Sequence, residues 1–527
     1  MIKNILIGGT AGHGLNTLSY FLVRILRDQG YQVHTFKDYM SRVRGGANFT
    51  QIRFGNEAVT THDPKVDLIM ALNQEAVDLH SDKLSEDGYL ICDSEANTNI
   101  KNVIRIPIKK IGASNQNPRG LSSIAVGAII KALSINVNEL KKVSIPKWPD
   151  EMKTKNHNTA LESYKASKSV IEYISSNYSE KLYMNGNQAI AMGALAGGLD
   201  FYCAYPMAPS TGIMATLNQF ESRAGILVEQ AEDEIAAMNV VIGASATGAR
   251  SMTGTSGGGF SLMVEALGFA GIGEVPLVAV DVQRPGPATG LPTRTEQSDL
   301  SFVLSASQGE MPRMIIAVKD VEDAFYQTAR ALNIAETYRL PVIILSDQYL
   351  ADMAQTFDEP DLSQLQIHTH LDDQTDLNDL YKTYDLSGSL TPRMVPGQSG
   401  STLTFYDSHE HDEIGHITED PDVRTAMMHR RMKKLDLLKQ EVIEPDYFGP
   451  KSAENILIGW GSMKGGLSEA VKVLNDQGFS VGALVFGDIY PLPEKKLRSY
   501  ATTAKKIINV NELHWTVGAS YPHGNWN

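Results

Sequence analysis

Apolar residues in this 527-residue chain fall into runs of two kinds. Short unbroken runs rich in Val, Ile and Leu, at residues 4–7, 67–72, 89–93, 275–282 and 341–347, predict strands buried on both faces, as in a parallel sheet. Longer stretches repeat apolar residues every three or four positions. Leu15, Leu18, Phe21, Leu22, Ile25 and Leu26 define one helix face, and further helices are expected at 124–133, 189–198, 235–246, 324–338 and 467–477. A strand at 31–36 after the first helix makes residues 4–36 a β–α–β unit, and another strand follows at 47–54. A last unit opens at 455–462 and continues with a helix, a strand at 480–486 and a strand at 507–510. This alternation predicts a multidomain α/β protein.

Two stretches interrupt the rhythm. Residues 141–179, with Pro146, Pro149 and many Lys, Asn and Ser, read as a partly helical linker. Residues 359–447 turn polar and charged, and their basic helix at 424–440 reads as a solvated or docking face. The chain divides accordingly at 1–180, 181–358, 359–450 and 451–527. Composition then narrows the class. A hydrophobic fraction of 42% and a charged fraction of 20% are ordinary for a soluble globular protein. The 61 acidic against 47 basic residues, net charge −14, disfavour a nucleic-acid or anionic-membrane binder. No run nears the ~18 apolar residues of a membrane span, and the apolar run before Gly8 is too short for a secretory signal, so a cytoplasmic protein is expected. Cys92 and Cys203 stand alone and far apart, which excludes an iron–sulfur cluster or four-thiolate zinc site on this chain. Electrons from any redox reaction must therefore pass to another subunit.

Candidate chemistry concentrates at residues 227–259. Glu232, Asp233 and Glu234 enter an apolar helix, and Ser251-Met252-Thr253-Gly254-Thr255-Ser256-Gly257-Gly258-Gly259 follows it. Burying a carboxylate costs free energy unless it finds a partner or a proton, so such an acid is either a helix partner or a catalytic group. Nearby is Tyr205-Pro206-Met207-Ala208-Pro209-Ser210-Thr211, where Ser210 or Thr211 is placed to cap the next helix. In the loop from Gln283 and Arg284 to Thr293, Arg284 suits a carboxylate, and the Thr289 and Thr293 hydroxyls suit an oxo group. Pairing of Arg284 with Asp281 or Asp299 is the plainer alternative. At the other end of the chain, Gly8, Gly9, Gly12 and Gly14 between strand and helix leave either a phosphate site at the helix start or a bare tight turn. Arg44 beside Gly45-Gly46 suits an anionic ligand or an acidic neighbour. His409, His411 and His416 lack the HExxH spacing, and no metal site is expected there.

With those residues in place, the chain resembles the alpha subunit of a 2-oxoacid:ferredoxin (acceptor) oxidoreductase of the 2-oxoglutarate synthase type, with a gamma domain fused ahead of alpha. Gly8, Gly12 and Gly14 with Arg44-Gly45-Gly46 are similar to the gamma domain. Tyr205-Pro206-Met207-Ala208-Pro209 is similar to the family's YPITP motif, with Met and Ala replacing Ile and Thr. Glu232-Asp233-Glu234 through Thr255-Ser256-Gly257, Gln283-Arg284 through Thr293, Pro392-Arg393 with Pro396-Gly397, and Glu410-His411-Asp412-Glu413-Ile414-Gly415-His416 follow in the family's order and spacing.

The resemblance implies a thiamine-diphosphate-binding, pyruvate:ferredoxin oxidoreductase-like parallel-sheet domain. A gamma-type α/β domain would precede it, and a transketolase C-terminal-like α/β domain would follow. That last domain looks truncated, since residues 514–527 do not resemble the relatives' ending. The resemblance further implies that Glu234 bonds the aminopyrimidine ring of the cofactor, with Glu232 as alternative and Thr255, Ser256 and Gly257 around it. Arg284, Thr289 and Thr293 would hold the 2-oxoacid, and Tyr205, Pro206 and Pro209 would shape its pocket. Gly12, Gly14 and Arg44 would help seat coenzyme A or a nucleotide. A beta subunit would carry Mg2+ and a [4Fe–4S] cluster in a heterodimer or heterotetramer, and alpha alone would be inactive. The implied reaction takes a 2-oxoacid, coenzyme A and oxidised ferredoxin to acyl-CoA, CO2 and reduced ferredoxin. 2-Oxoglutarate is favoured over pyruvate and branched-chain or aryl 2-oxoacids, although Ala208 removes a hydroxyl usual in the family. Two other classes remain open: an NAD-binding dehydrogenase using the N-terminal glycine turn with Asp38 on the ribose, and a non-catalytic scaffold subunit.

Overall fold

A computed structural model describes residues 2–40, 45–142, 144–173, 176, 181–372, 381–396 and 404–511. Two compact units emerge, Met1–Met184 with Asp352–Glu359, and Asn185–Ala351 with Pro360–Asn527.

In the first unit, Ile2–Ala11 runs through an eight-stranded mixed sheet, parallel to Val66–Ala71 and antiparallel to Gly45–Gly55. The β–α–β reading of residues 4–36 needs one correction. Gly45–Gly55 lies between Ile2–Ala11 and Gln32–Asp38, because its 11 residues pair with one strand on each side, antiparallel to both. The helix Leu15–Asp28 turns Leu18, Phe21, Leu22, Ile25 and Leu26 into the core, fully buried, as their 3.6-residue period predicts. The stretch read as a partly helical linker holds a 17-residue helix, Asp150–Ala166, packed into this unit. It lies so close to Leu121–Ala132 that a Cβ on Gly127 would come within 2.0 Å of the Ala160 carbonyl oxygen. Its buried face is Asn156, Thr159, Ala160 and Ser163, and Ser163 Oγ donates to the Ile124 carbonyl at 2.7 Å. A contact face of small, hydrogen-bonded residues carries no hydrophobic period, so the sequence pattern conceals it.

The second unit is built on seven strands in the order Asp488–Tyr490, Met314–Ala317, Pro341–Asp347, Leu277–Gln283, Ser251–Thr255, Phe201–Ala204, Leu227–Gln230. Only the pairing of Asp488–Tyr490 is antiparallel. Every residue of Leu277–Gln283 and Pro341–Asp347 is buried, which explains their unbroken apolar runs. Helices Glu234–Ala246 and Gly257–Ile272 bring Met238, Val241, Phe260, Met263 and Leu267 into one core with Leu277 and Ala279. Full burial of each large apolar side chain contributes about 1.5–3 kcal/mol. A four-stranded sheet, in the order Asp446–Phe448, Val481–Phe486, Asn455–Trp460, Lys506–Asn509, completes the unit.

The helix Pro421–Leu438, expected to be a solvated or docking face, instead buries Arg430, Arg431 and Lys434. Arg430 and Lys434 converge on the fully buried Glu274, with Lys434 Nζ at 2.6 Å, and Lys434 also donates to the Arg339 carbonyl at 3.0 Å. Arg393 is buried too, bonded to the Ser245 carbonyl at 2.7 Å and to Glu336 at 2.9 Å. Charges this deep persist because each has a partner. The helix turns inward because its receptor is acidic, a fact that its own composition cannot reveal.

Candidate active site

The local backbone sorts the acids at the start of the Glu234 helix. Asp233 is extended and caps the helix, accepting the Ala236 N–H at 2.7 Å. Glu232 is exposed. Glu234, the first helical residue, is 4% exposed, and its Oε1 is buried without a hydrogen-bond partner among the described residues. A Cβ on Gly259 would fall 2.2 Å from Thr255 Oγ1 and 2.5 Å from Glu234 Oε1, so these two side chains meet over a position open only to glycine. Thr255 Oγ1 also lies 3.7 Å from Met207 Sδ. Ser256 begins the Gly257 helix without a side-chain cap, and its Oγ is likewise buried and unpartnered among the described residues.

Phe201–Ala204, Ser251–Thr255 and Leu277–Gln283 are neighbouring parallel strands, so the loops leaving their carboxyl ends emerge on one edge, the usual ligand edge of an open α/β sheet. There Arg284 Nη1 donates to the Ala208 carbonyl at 2.7 Å, joining the second loop to the first. Burial lowers the Arg284 guanidinium pKa and the charge of Asp299 pulls it back up, with no direct ion pair to Asp281 or Asp299 among the described residues. Pro206 and Pro209 are half-buried and Tyr205 is exposed. The Pro209 carbonyl accepts from Asn187 Nδ2 at 2.8 Å. Ser210 does not cap the next helix through its side chain; its Oγ turns back to the Met207 carbonyl at 2.8 Å. Thr289 is exposed and Thr293 half-buried on a loop that doubles back, Leu291 N–H donating to the Pro285 carbonyl at 3.1 Å.

Sequence reasoning gave no catalytic or binding role to two acids of this edge. Asp281 is fully buried, and neither carboxylate oxygen has a partner among the described residues. Asp299 lies so close to the start of the Gly257 helix that a Cβ on Gly257 would meet its Oδ2 at 2.5 Å. Burial, and then the charge of Asp299, hold the Asp281 carboxyl well above the usual carboxylate range. Burial and the charge of Glu296 push Asp299 up to about 6, against Ser298 and Arg284, which pull it down. The one available signal was an acid inside the otherwise apolar run at 275–282.

The histidine-rich turn is structural. Asp412 Oδ1 accepts the N–H groups of Ile414, Gly415 and His416, Glu410 pairs with Arg431, and the His411 ring lies 4.0 Å from the Tyr384 ring. Among the described residues no three His, Cys, Asp or Glu side chains group as metal ligands.

In the first unit, Gly12 and Gly14 adopt φ of +99° and +75°, and Gly14 precedes the Leu15 helix without a side-chain cap. They border a cleft of about 590 Å3 with Asn16, Lys37, Tyr39 and Asp352. Burial lowers the Lys37 ammonium pKa, while Asp352 pulls it back up. Arg44 lies outside the described residues.

Residues 192–430 match a family model described as pyruvate flavodoxin/ferredoxin oxidoreductase, thiamine diphosphate-binding, and residues 4–166 match one described as pyruvate ferredoxin/flavodoxin oxidoreductase. The alpha subunit of 2-oxoacid:ferredoxin oxidoreductase 1 from Aeropyrum pernix is 33% identical, over 94% of this chain and 88% of its own. The chain belongs to the alpha subunits of the 2-oxoacid:ferredoxin oxidoreductases. A solved structure of the family, 2-oxoglutarate:ferredoxin oxidoreductase from Magnetococcus marinus with 2-oxoglutarate, coenzyme A and succinyl-CoA bound, is 30% identical with a TM-score of 0.91, covering 98% of this chain and 92% of that one. The 2-oxoglutarate synthase subunit KorA of Methanocaldococcus jannaschii is 32% identical, over 64% of this chain and 90% of its own. The multidomain α/β fold expected from the sequence is thus the fold of an oxidoreductase family. No helix among the described residues is long and apolar enough to cross a membrane.

Proposed function

We propose that this alpha subunit, joined to a beta subunit, oxidatively decarboxylates a 2-oxoacid, 2-oxoglutarate first among the candidates, to an acyl-CoA and CO2, with electrons delivered to ferredoxin. The observation that carries the reading is the buried, unpartnered Glu234 oxygen over Gly259. An orphan acceptor beside a position closed to any side chain suits the flat aminopyrimidine ring of thiamine diphosphate. That cofactor supplies, when bound, the electron sink for loss of CO2. The beta subunit would contribute Mg2+ and a [4Fe–4S] cluster.

In this chain Glu234 Oε1 would form the hydrogen bond to the ring nitrogen, and Thr255, Ser256 and Gly257 would wall the same place. Arg284, anchored by the Ala208 carbonyl, presents its remaining N–H groups to the substrate carboxylate. Thr289 and Thr293 supply hydroxyls from the same loop, and Tyr205, Pro206 and Pro209 limit the pocket. Coenzyme A, with its anionic phosphates, suits the Gly12–Gly14 cleft, where the start of the Leu15 helix and Lys37 lie together; the sequence offers Arg44, outside the described residues, as a further cation. The likeness to the Magnetococcus marinus enzyme and to the KorA subunit supports 2-oxoglutarate over other 2-oxoacids.

The test is 2-oxoacid-dependent viologen reduction by the assembled alpha–beta complex, run across 2-oxoglutarate, pyruvate and branched 2-oxoacids. Reduction fastest with 2-oxoglutarate is expected, and none by alpha alone. A stable complex that reduces viologen with no 2-oxoacid would return the scaffold reading.

A further inference from the structure

The loop that begins at Arg284 runs on to Gln297, whose amide is held by three groups at once. Gln297 Nε2 lies 3.1 Å from the Trp460 carbonyl oxygen, 3.3 Å from Asp347 Oδ2 and 3.5 Å from Ser462 Oγ. Ser462 Oγ donates in turn to Asp347 Oδ2, while Asp347 Oδ1 accepts the Leu350 N–H at 2.8 Å. Asp347 ends a strand of the seven-stranded sheet, and Ser462 follows a strand of the four-stranded sheet. Gln297, Asp347 and Ser462 are each more than nine-tenths buried. Between Trp460 and Ser462, Gly461 adopts φ +58°, and a Cβ there would press to 3.2 Å from Gln297 Nε2. The following residues tie back to the base of the loop. Ser298 Oγ donates to the Arg284 carbonyl at 3.2 Å, Asp299 N–H donates to Gln283 Oε1 at 3.0 Å, and Gln283 Nε2 donates to the Ser346 carbonyl at 2.9 Å.

We infer that Gln297, Asp347 and Ser462 form a latch by which the four-stranded sheet fixes the Arg284 loop and so sets the affinity for the 2-oxoacid. The inference rests on the proposed role of Arg284 in meeting the substrate carboxylate. Gln297 and Ser462 are positioning residues, acting only through the loop. A buried amide–hydroxyl–carboxylate network orders its members as a set, and removing one leaves the others unsatisfied. With the latch open, the loop spreads over more conformations and only a fraction of molecules can bind. The apparent KM rises by the inverse of that fraction, while turnover of complexes that do form is unchanged.

The experiment compares parent, Ser462→Ala, Gln297→Ala and Ser462→Thr alpha subunits, each assembled with beta. In Ser462→Ala the KM for the preferred 2-oxoacid should rise roughly five- to tenfold, with kcat held within about twofold and the KM for coenzyme A unchanged. Gln297→Ala should do at least as much, and Ser462→Thr, which keeps the hydroxyl, should restore the parent KM. Amide hydrogen exchange should quicken over residues 285–299 in both alanine variants and stay unchanged over Ser251–Thr255. Parent values of both KM and loop exchange in both alanine variants would overturn the latch, as would faster exchange spread evenly through both sheets. If Arg284→Lys leaves the 2-oxoacid KM untouched while Ser462→Ala still quickens loop exchange, the substrate role of Arg284 is at fault and the latch is upheld.

Discussion

At the scale of single residues, the candidate site depends on where side chains are forbidden as much as on where they stand. Gly259→Ala would drive a methyl group into Glu234 and Thr255, displacing the carboxylate without removing it. It should therefore mimic Glu234→Gln: both variants should assemble with beta and lose viologen reduction by at least ~100-fold, the scale of a positioned proton-transfer group. A fully active Glu234→Gln would return the assignment to Glu232. The sequence narrowed three adjacent acids to two candidates, but only backbone direction separates a cap, an exposed side chain and an inward carboxylate. The inward acids add a pH signature. Folded Asp281 and Asp299 hold protons more tightly than the unfolded chain does, so their contribution to stability is present at low pH and lost as pH rises, for Asp299 through about 6. Asp281→Asn should thus raise the unfolding midpoint at pH 8, by on the order of 1–3 kcal/mol, and the gain should vanish near pH 4. Thermal melts across that range check it, and a variant no more stable than the parent at pH 8 refutes it.

At the scale of elements, hydrophobic period located the strands and amphipathic helices, but it did not show which polar helix faces are buried. The helix read at 424–440 and the partly helical stretch at 141–179 are present as Pro421–Leu438 and Asp150–Ala166, while Arg and Lys in the first and Asn, Thr and Ser in the second hid their packed faces. The second helix is docked by charge. Burial alone drives the Glu274 carboxyl upward, but Lys434, Arg430 and Arg339 outweigh it and hold it down to about 2. Glu274→Gln leaves the buried Arg430 without its counter-charge and, because burial already lowers the Lys434 ammonium pKa to about 7, tips Lys434 to its neutral form; it should destabilise the second unit by about 3–5 kcal/mol in urea unfolding near neutral pH. The folded carboxyl is the stronger acid, so its contribution is present above the usual carboxyl range and lost as pH falls through about 2. Parent and variant should converge only in strong acid. The family's Pro392–Gly397 and Glu410–His416 motifs belong to this docking. Arg393 anchors the first, while Glu410 and Asp412 build the second, which is why their chemistry-rich residues do not join the Glu234 site; Gly397 lies outside the described residues.

At the scale of the whole molecule, strand order was not legible from the sequence, because neighbours in a sheet are chosen by long-range packing rather than local pattern. The Gly45–Gly55 insertion and the latch through Gln297 both join residues whose partners lie on remote segments. The strand next to one edge of the seven-stranded sheet shows the consequence most plainly. Among the described residues Met314–Ala317, four buried apolar residues, is paired on its outer side by Asp488–Tyr490, which begins 171 residues after Ala317. At ribosomal rates of ~5–20 residues per second, that edge waits roughly 10–35 s for its cover. An apolar strand with open hydrogen-bonding groups is a template for pairing with other chains. During synthesis this protein is thus most exposed to mispairing after its catalytic sheet has formed. Ribosome-bound chains halted near residue 450 should recruit holdase chaperones more strongly than chains halted after residue 490 has left the exit tunnel. Equal recruitment by both would show that the edge finds other protection.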